Sequence, residues 1–323
     1  MRADLAKLKE EVARLLDSDQ VSLVCAYQRA EDGVGSRPAF VLSKEDLEDL
    51  ILDARAEACL PTLVYLGVTE DPAGEGKIAV VVKGCDSRAI ERLQADHRLD
   101  RDRLVILGAP CEGIIDEKKL LAAGLGRVNS VSLENGSFSV VTEDDQVHQL
   151  DREEYLAEKC RACTRHDPTD ADVMLGPEVS AQEAPAPDYS PVEKMEAMTD
   201  EERYAFWEAE LAKCIRCYAC RNVCPACNCR LCIFEQAEPQ WAPETDNPSQ
   251  HGTYQFTRAW HVAGRCVDCW ECQRVCPAGI PLMLLNHKLM KDIGELFGVE
   301  RPWESSEKEP LAQYSLEDPD DFE

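Results

Sequence analysis

The segment Ile78-Ala-Val-Val-Val-Lys-Gly-Cys-Asp-Ser-Arg-Ala-Ile90 joins an uninterrupted apolar run to a stretch with helical spacing. Its first five residues are apolar on both faces, as in a strand buried inside a parallel sheet, and a helix is predicted over Ser87–His97. Similar apolar runs occur at Thr62–Leu66 and Leu104–Leu107. Strands that alternate with helices predict an α/β domain with a mostly parallel sheet.

The residues before this segment supply further elements. A strand is predicted over Val21–Tyr27, and a helix from the capping box at Ser43 and Asp46 to about Ala58. An amphipathic first helix is predicted from apolar residues at helical spacing, namely Leu5, Leu8, Val12, Leu15 and Leu16.

A hairpin signal and a change of composition divide the rest of the chain. Asn135-Gly136 lies between strand-like runs and predicts a two-residue hairpin, after a helix over Asp116–Ala123. Residues 178–200 are acidic and rich in proline, as extended linkers are. Helices are predicted over Glu202–Lys213 and Ile280–Ile293. We therefore predict an α/β core at 1–177, a linker at 178–200, a mainly α-helical domain at 201–300 and a disordered acidic tail at 301–323.

Composition limits the classes of function. The 323 residues include 62 acidic and 35 basic side chains, a net charge of -27, so neither nucleic acid nor an anionic membrane is expected as a partner. No N-terminal signal and no apolar run of membrane-spanning length is visible, which predicts a cytoplasmic location without membrane insertion. In a reducing compartment the 17 cysteines are expected to bind metal rather than to form disulfides.

Eight of these cysteines form two runs with ferredoxin spacing. In such runs three thiolates hold one cluster, and the fourth, before proline, reaches the other cluster. The sequence therefore predicts two [4Fe-4S] clusters in a helical two-cluster ferredoxin domain. The first would be held by Cys214, Cys217, Cys220 and Cys276, and the second by Cys266, Cys269, Cys272 and Cys224. A pair of zinc sites is the alternative for this spacing.

Three further thiols, Cys227, Cys229 and Cys232, lie between the two runs. They predict another metal site whose fourth ligand is not identified. A [4Fe-4S] cluster is preferred there over zinc.

Four more cysteines are predicted to meet at the sheet edge. Cys85 and Cys111 each follow a predicted parallel strand, and open α/β sheets bind ligands at the carboxyl ends of their strands. Cys160 and Cys163 have ligand spacing and could fold back onto that edge. Together they predict one more [4Fe-4S] cluster. Cys25 and Cys59 remain, and both are expected to be core residues.

Residues 1–176 resemble a known family, the β subunits of deazaflavin-linked hydrogenases and formate dehydrogenases, with relatives attached to heterodisulfide reductase complexes. The segments that carry the resemblance are Ile78–Ile90, Leu104–Ile114, Glu158–Cys163 and Asp172–Gly176. The resemblance implies an iron–sulfur cluster at the matching Cys85, Cys111, Cys160 and Cys163. Because many members bind a flavin, it also leaves FAD open as a further cofactor. Two features depart from the family pattern: Gly84 replaces a common proline, and the ferredoxin module follows the core domain.

The sequence thus predicts an iron–sulfur electron-transfer subunit of an anaerobic oxidoreductase complex. We expect it to relay single electrons between catalytic and redox partner subunits of a formate dehydrogenase, hydrogenase or heterodisulfide reductase type, with no catalytic residue of its own. One alternative is a flavin-bearing subunit that itself oxidises or reduces a soluble hydride carrier. Another is an assembly scaffold stapled by zinc.

Overall fold

The chain forms two units, Met1–Pro187 and Asp188–Glu323. The computed structural model describes residues 1–63, 76–161, 163–179, 187–243, 247–299 and 310–312. No helix within these ranges combines the length and apolar character needed to cross a membrane.

The core of the first unit is a five-stranded sheet. Its strands are β1 (Val21–Arg29), β2 (Ser36–Val41), β3 (Lys77–Val82), β4 (Leu104–Gly108) and β8 (Val173–Met174), in the order β2-β1-β3-β4-β8. β1 and β2 are antiparallel, whereas β1, β3, β4 and β8 pair in parallel. Residues 78–82 are all buried, as expected for a central parallel strand. The predicted α/β core with a mostly parallel sheet is confirmed.

The first helix of the first unit has the predicted amphipathic pattern. The first helix is capped by Asp4, whose side chain accepts a hydrogen bond from the backbone N–H of Ala6 at 2.8 Å. It buries Leu8, Val12 and Leu15 against the sheet core. The helices are α1 (Leu5–Asp17), α2 (Gly84–Ala95), α3 (Glu117–Ala122), α4 (Arg152–Tyr155) and α5 (Glu158–Arg161).

A separate antiparallel sheet contains the predicted hairpin. Its strands are β5 (Val128–Glu134), β6 (Ser137–Thr142) and β7 (Val147–Asp151). Asn135 and Gly136 have φ values of 49° and 80°, as a two-residue hairpin turn requires. The hairpin prediction is confirmed, whereas β7 was not predicted.

The prediction of a helix over residues 43–58 is wrong. Only Lys44–Leu47 is helical, as one 3-10 turn. Residues 50–58 are buried nearly throughout rather than on one face. The backbone N–H groups of Ile51 and Ala54 donate to carbonyls of β1 and β5 at 2.9 and 3.0 Å. This stretch therefore connects the two sheets as irregular backbone, which the periodicity of its apolar residues did not reveal.

Two other strands differ from the prediction. β2, which includes Pro38, was not predicted, and it lies at the edge of the sheet, where proline is tolerated. The strand predicted at Thr62–Leu66 falls mostly on residues 64–75, outside the described residues, and residues 61–63 are helical.

The second unit is helical among its described residues. The segment 178–200, predicted as a linker, contains α6, in which Val192 is buried. The predicted acidic tail lies outside the described residues except for 310–312. The helices are α6 (Ser190–Glu196), α7 (Asp200–Leu211), α8 (Ala219–Asn222), α9 (Pro248–His261), α10 (Glu271–Arg274) and α11 (Leu282–Phe297).

Candidate metal centres

Four cysteines of the first unit line one pocket of about 360 Å³. Cys85 lies in the first turn of α2, directly after β3, and Cys111 follows β4. Cys160 belongs to α5, and Cys163 follows that helix. The structure thus brings together the four thiols that the sequence placed at the carboxyl ends of the parallel strands.

Backbone contacts hold the two cysteine-bearing segments against each other. The Cys111 N–H donates to the His166 carbonyl at 3.0 Å, and Nδ1 of His166 lies 2.9 Å from the Cys111 carbonyl oxygen. Gly84 packs against the same segment so closely that a Cβ there would lie 2.3 Å from the Arg165 carbonyl oxygen. Only glycine permits this approach, which explains why a residue without a side chain precedes Cys85.

Basic residues surround this pocket, since Lys83, Lys159 and Arg165 also line it. Lys83 is buried, and its ammonium donates to the Tyr27 hydroxyl, to the Ala58 carbonyl (2.9 Å) and to Asp86 (2.7 Å). No sequence pattern marks this burial, because a lysine next to glycine at a strand end is typical of an exposed turn.

Burial favours the protonated form of two of these thiols, Cys85 and Cys160. It raises the pKa of Cys85 well above its ordinary value; the Asp86 charge adds to that effect, and Lys83 and Lys159 oppose it. Burial and the neighbouring Cys111 raise the pKa of Cys160 to about 12. A metal that binds as a thiolate complex must displace these protons, and the surrounding cations compensate the resulting negative charge.

A second pocket, of about 300 Å³, lies in the second unit. Four of its lining residues are the predicted ligands of the first ferredoxin cluster, Cys214, Cys217, Cys220 and Cys276. Cys217 is exposed and the other three are buried. The fourth thiol comes from the second cysteine run, as the ferredoxin pattern predicts.

The remaining ferredoxin thiols are also brought together across the two runs. Burial raises the pKa of Cys266, and the neighbouring charges of Asp268, Cys224 and Cys272 raise it further. Cys269 is partly buried and packs against the small buried group that contains Cys266. Cys224, from the first run, therefore lies among cysteines of the second.

The two runs share one backbone conformation. Arg216 and Asp268, before the second cysteine of each run, have the same positive φ of 53°, and Tyr218 and Trp270, after it, have φ values of 62° and 61°. Such conformations are uncommon for residues other than glycine and occur preferentially at ligand sites. A short helix, α8 or α10, then begins in each run and carries its third cysteine.

Polar side chains of α9 and α11 point at the sulfur atoms. Gln255 Nε2 donates to Cys214 Sγ at 3.5 Å, the Tyr254 hydroxyl lies 3.6 Å from Cys220 Sγ, and Asn286 Nδ2 lies 3.7 Å from Cys272 Sγ. No motif marks these residues, so sequence reasoning missed them.

Cys227, Cys229 and Cys232 lie after the first run. Burial raises the pKa of Cys227 to about 12, and the charges of Cys224, Cys229 and Cys232 contribute to that shift. Cys229 is exposed, and the other two are half-buried. The three thiols are thus neighbours near the surface, beside Cys224.

The donor sets suit a polynuclear cluster. Among the described residues, no group of three or more His, Cys, Asp or Glu side chains has the geometry of a metal-ion site. The two pockets each present four thiols around one cavity. Four cysteine thiolates are the usual ligands of a [4Fe-4S] cluster.

The fold and these pockets define a cysteine-rich protein with one thiol pocket at the carboxyl edge of an α/β sheet and another in a helical unit. Residues 75–193 match the family model for the C terminus of the coenzyme F420 hydrogenase/dehydrogenase beta subunit. This match confirms the resemblance to the beta-subunit family that was found in the sequence.

Two curated relatives extend the match along most of the chain. The chain is 25% identical over 342 residues to the F420-dependent formate dehydrogenase subunit beta of Methanocaldococcus jannaschii, covering 88% of each chain. It is 27% identical over 349 residues to subunit beta of F420-dependent formate dehydrogenase 1 of Methanococcus maripaludis, again covering 88% of each. A solved F420-reducing [NiFe] hydrogenase complex from Methanosarcina barkeri aligns with 51% of this chain and 64% of its own, at 18% identity and a TM-score of 0.40.

Proposed function

We propose that the chain is an iron–sulfur electron-transfer subunit of an oxidoreductase complex of the formate dehydrogenase, hydrogenase or heterodisulfide reductase type. It relays single electrons between a catalytic partner and another redox subunit. Three [4Fe-4S] clusters carry the electrons. One is held by Cys85, Cys111, Cys160 and Cys163, one by Cys214, Cys217, Cys220 and Cys276, and one by Cys224, Cys266, Cys269 and Cys272.

The observation that carries this proposal is the convergence of thiols distant in sequence on common pockets. Cys85 and Cys163 are 78 positions apart by their residue numbers, and Cys214 and Cys276 are 62 apart, yet each pair lines one pocket. Structural cysteines of a reduced core have no reason to gather in fours around a cavity. The sulfur-directed hydrogen bonds and the nearby cations are the groups by which proteins adjust cluster potentials.

We also propose that Cys227, Cys229 and Cys232 hold a further metal site. Their position beside Cys224 favours a [4Fe-4S] cluster that continues the chain of clusters towards the surface. Zinc with the same three ligands is the alternative.

The first test is a count of iron, acid-labile sulfide, zinc and flavin per chain after anaerobic purification. About sixteen irons with equal sulfide support four clusters, and about twelve support three. A colourless chain that contains zinc without labile sulfide would overturn the proposal in favour of a zinc-stapled scaffold.

A cysteine substitution separates the clusters. Cys217→Ala removes one ligand of the pocket in the second unit, so one cluster should be lost or converted while the first unit stays folded. Unchanged iron content and unchanged electron transfer in Cys217→Ala would remove this ligand assignment.

A second candidate function is supported by the names of the relatives, both of which are F420-dependent formate dehydrogenase subunits. In this second candidate function the chain binds FAD and itself oxidises or reduces a soluble hydride carrier. Stoichiometric FAD in the purified chain, together with its reduction by reduced F420, would favour this function over a relay alone.

The partner subunits are expected to present basic faces. The chain has a net charge of -27, so electrostatic attraction should speed the association and select such partners. Affinity for co-purifying subunits should fall as salt is added. Salt-independent association would contradict this electrostatic contribution.

A further inference from the structure

Arg258 of α9 is a buried cation, and two of its guanidinium nitrogens have no hydrogen-bond partner among the described residues. The residue is 2% exposed. Its Nε donates to Gln255 Oε1 at 3.2 Å. Within the part of the chain that the structure describes, its Nη1 and Nη2 are buried and have no hydrogen-bond partner. An uncompensated charge inside a protein is costly, so a negative group beyond the polypeptide is needed to balance it.

The surroundings of Arg258 are rich in sulfur. Gln255, its hydrogen-bond partner, also donates to Cys214 Sγ at 3.5 Å and lies 3.9 Å from Cys220 Sγ. Burial lowers the pKa of Arg258, but the charges of Cys272, Cys220 and Cys224 raise it above its ordinary value. In return, Arg258 opposes the rise that burial causes in the pKa of Cys224.

The sulfurs near Arg258 belong to both ferredoxin ligand sets. Cys220 is assigned to the first cluster, and Cys224 and Cys272 to the second. A single guanidinium therefore lies near ligands of two clusters, and its unpartnered nitrogens are available to them.

We propose that Arg258 is a fixed positive charge common to the two ferredoxin clusters, which stabilises both of them in the reduced form. This inference rests on the proposed function, because it requires that both ligand sets hold iron–sulfur clusters. Arg258 is a positioning and charge-compensating residue, and it does not itself accept electrons.

The physical basis is charge balance. Each one-electron reduction adds one negative charge to a cluster, and a nearby cation in a low-dielectric interior makes that addition more favourable. When one electron passes from the reduced cluster to the oxidised one, the first is oxidised and the second reduced, and the total charge near Arg258 stays the same. Arginine stays protonated in proteins, so no proton need accompany the electron at this residue.

The test is an EPR-monitored redox titration of the anaerobically purified full chain, with dithionite as reductant. Arg258→Gln and Arg258→Met remove the charge, and Arg258→Lys keeps it. Lys213→Gln is the matched control, because it removes a positive charge next to Cys214 from a side chain that is 50% exposed and screened by water.

We expect both ferredoxin clusters to become harder to reduce in Arg258→Gln and Arg258→Met, with potentials close to wild type in Arg258→Lys and Lys213→Gln. If the uncharged variants fail to load iron, loading that is retained in Arg258→Lys supports the same role. Unchanged potentials in a fully loaded Arg258→Gln chain, or equal loss of iron from the lysine and glutamine variants, would overturn the inference. A wild-type chain without iron and sulfide would instead overturn the proposed function, so the two failures are distinguishable.

Discussion

Lys83 Nζ lies 2.7 Å from Asp86 Oδ2, and each of these side chains is only 1% exposed. The backbone N–H of Lys83 also donates to the same carboxylate oxygen at 3.1 Å. Because Cys85 stands between the two residues in sequence, this ion pair fixes the turn that presents the thiol to its pocket. The charge pair thus couples the stability of the first unit to the geometry of the candidate metal centre.

Replacing Lys83 with methionine should therefore be strongly destabilising. The change leaves Asp86 buried without its cation, and breaking a buried pair costs about 3–5 kcal/mol. The measurement is denaturant unfolding followed by circular dichroism. Lys44→Met is the control, because Lys44 pairs with Asp17 at the surface, where the two side chains are 53% and 59% exposed. A Lys83→Met variant as stable as Lys44→Met would refute this role of the ion pair.

Two glycine-to-alanine substitutions should have opposite effects on the stability of the folded chain. Alanine at Gly84 places a Cβ 2.3 Å from the Arg165 carbonyl oxygen, whereas a Cβ at Gly252, in α9, meets neighbours at 3.8 and 3.9 Å, in ordinary contact. We expect Gly84→Ala to destabilise the chain by about 1–3 kcal/mol. Gly252→Ala should stabilise it by about 0.5–1 kcal/mol, because glycine is a poor helix former. Thermal unfolding measures the stability of both variants. A Gly84→Ala variant more stable than wild type would contradict the close packing of Gly84 against Arg165.

The cysteines that line the two pockets could be predicted from the sequence, because strand ends and cysteine spacing mark their positions. Cys85 and Cys111 were predictable because the carboxyl ends of neighbouring parallel strands meet at one edge. Cys160 and Cys163 followed from ligand spacing and from the resemblance to the family. The position of Cys276 in the pocket lined by cysteines of the first run was expected from the ferredoxin pattern.

The surroundings of the thiols were not predictable in the same way. Lys83 and Arg258 are charged residues that sequence reasoning assigns to the surface, and only tertiary packing buries them. The helix prediction for residues 50–58 was wrong for a related reason. These residues are buried on nearly all sides, so their apolar positions do not show the spacing of a strand or of a helix. Local sequence therefore identifies the converging thiols better than it identifies the charged residues buried around them.

The pairing of α6 with α11 should depend on pH. Glu196 accepts hydrogen bonds from Lys288 at 2.8 Å and Lys291 at 2.5 Å, which lower the pKa of its carboxyl below the ordinary 4.5. A lowered folded pKa means that the stabilisation is fully present above about pH 4.5 and is lost as the pH falls through the folded value. Because Glu196 is partly exposed, the effect should stay below about 1 kcal/mol.

Glu196→Gln tests this dependence. The variant should be less stable than wild type near neutral pH and equally stable in acid, as measured by urea unfolding across a pH series. Glu208→Gln, at an exposed position of α7, is the control for the loss of a carboxylate. A stability difference that grew as the pH fell would show that the sign is wrong.

Cys85 and Cys25 provide a matched pair for the thiol pocket of the first unit. Both are cysteines of the same sheet region, but Cys85 lines the pocket, whereas Cys25 is 0% exposed in the apolar core of β1. If the pocket holds a cluster, Cys85→Ala should lower the iron content by about four atoms per chain. Cys25→Ala should keep its iron, although the cavity it leaves lowers stability. The measurement is the iron and labile sulfide content of each variant. Circular dichroism establishes that both variants are folded. Equal iron in folded Cys85→Ala and Cys25→Ala would mean that the four converging thiols do not bind a cluster, since removal of one ligand of four should release or convert it.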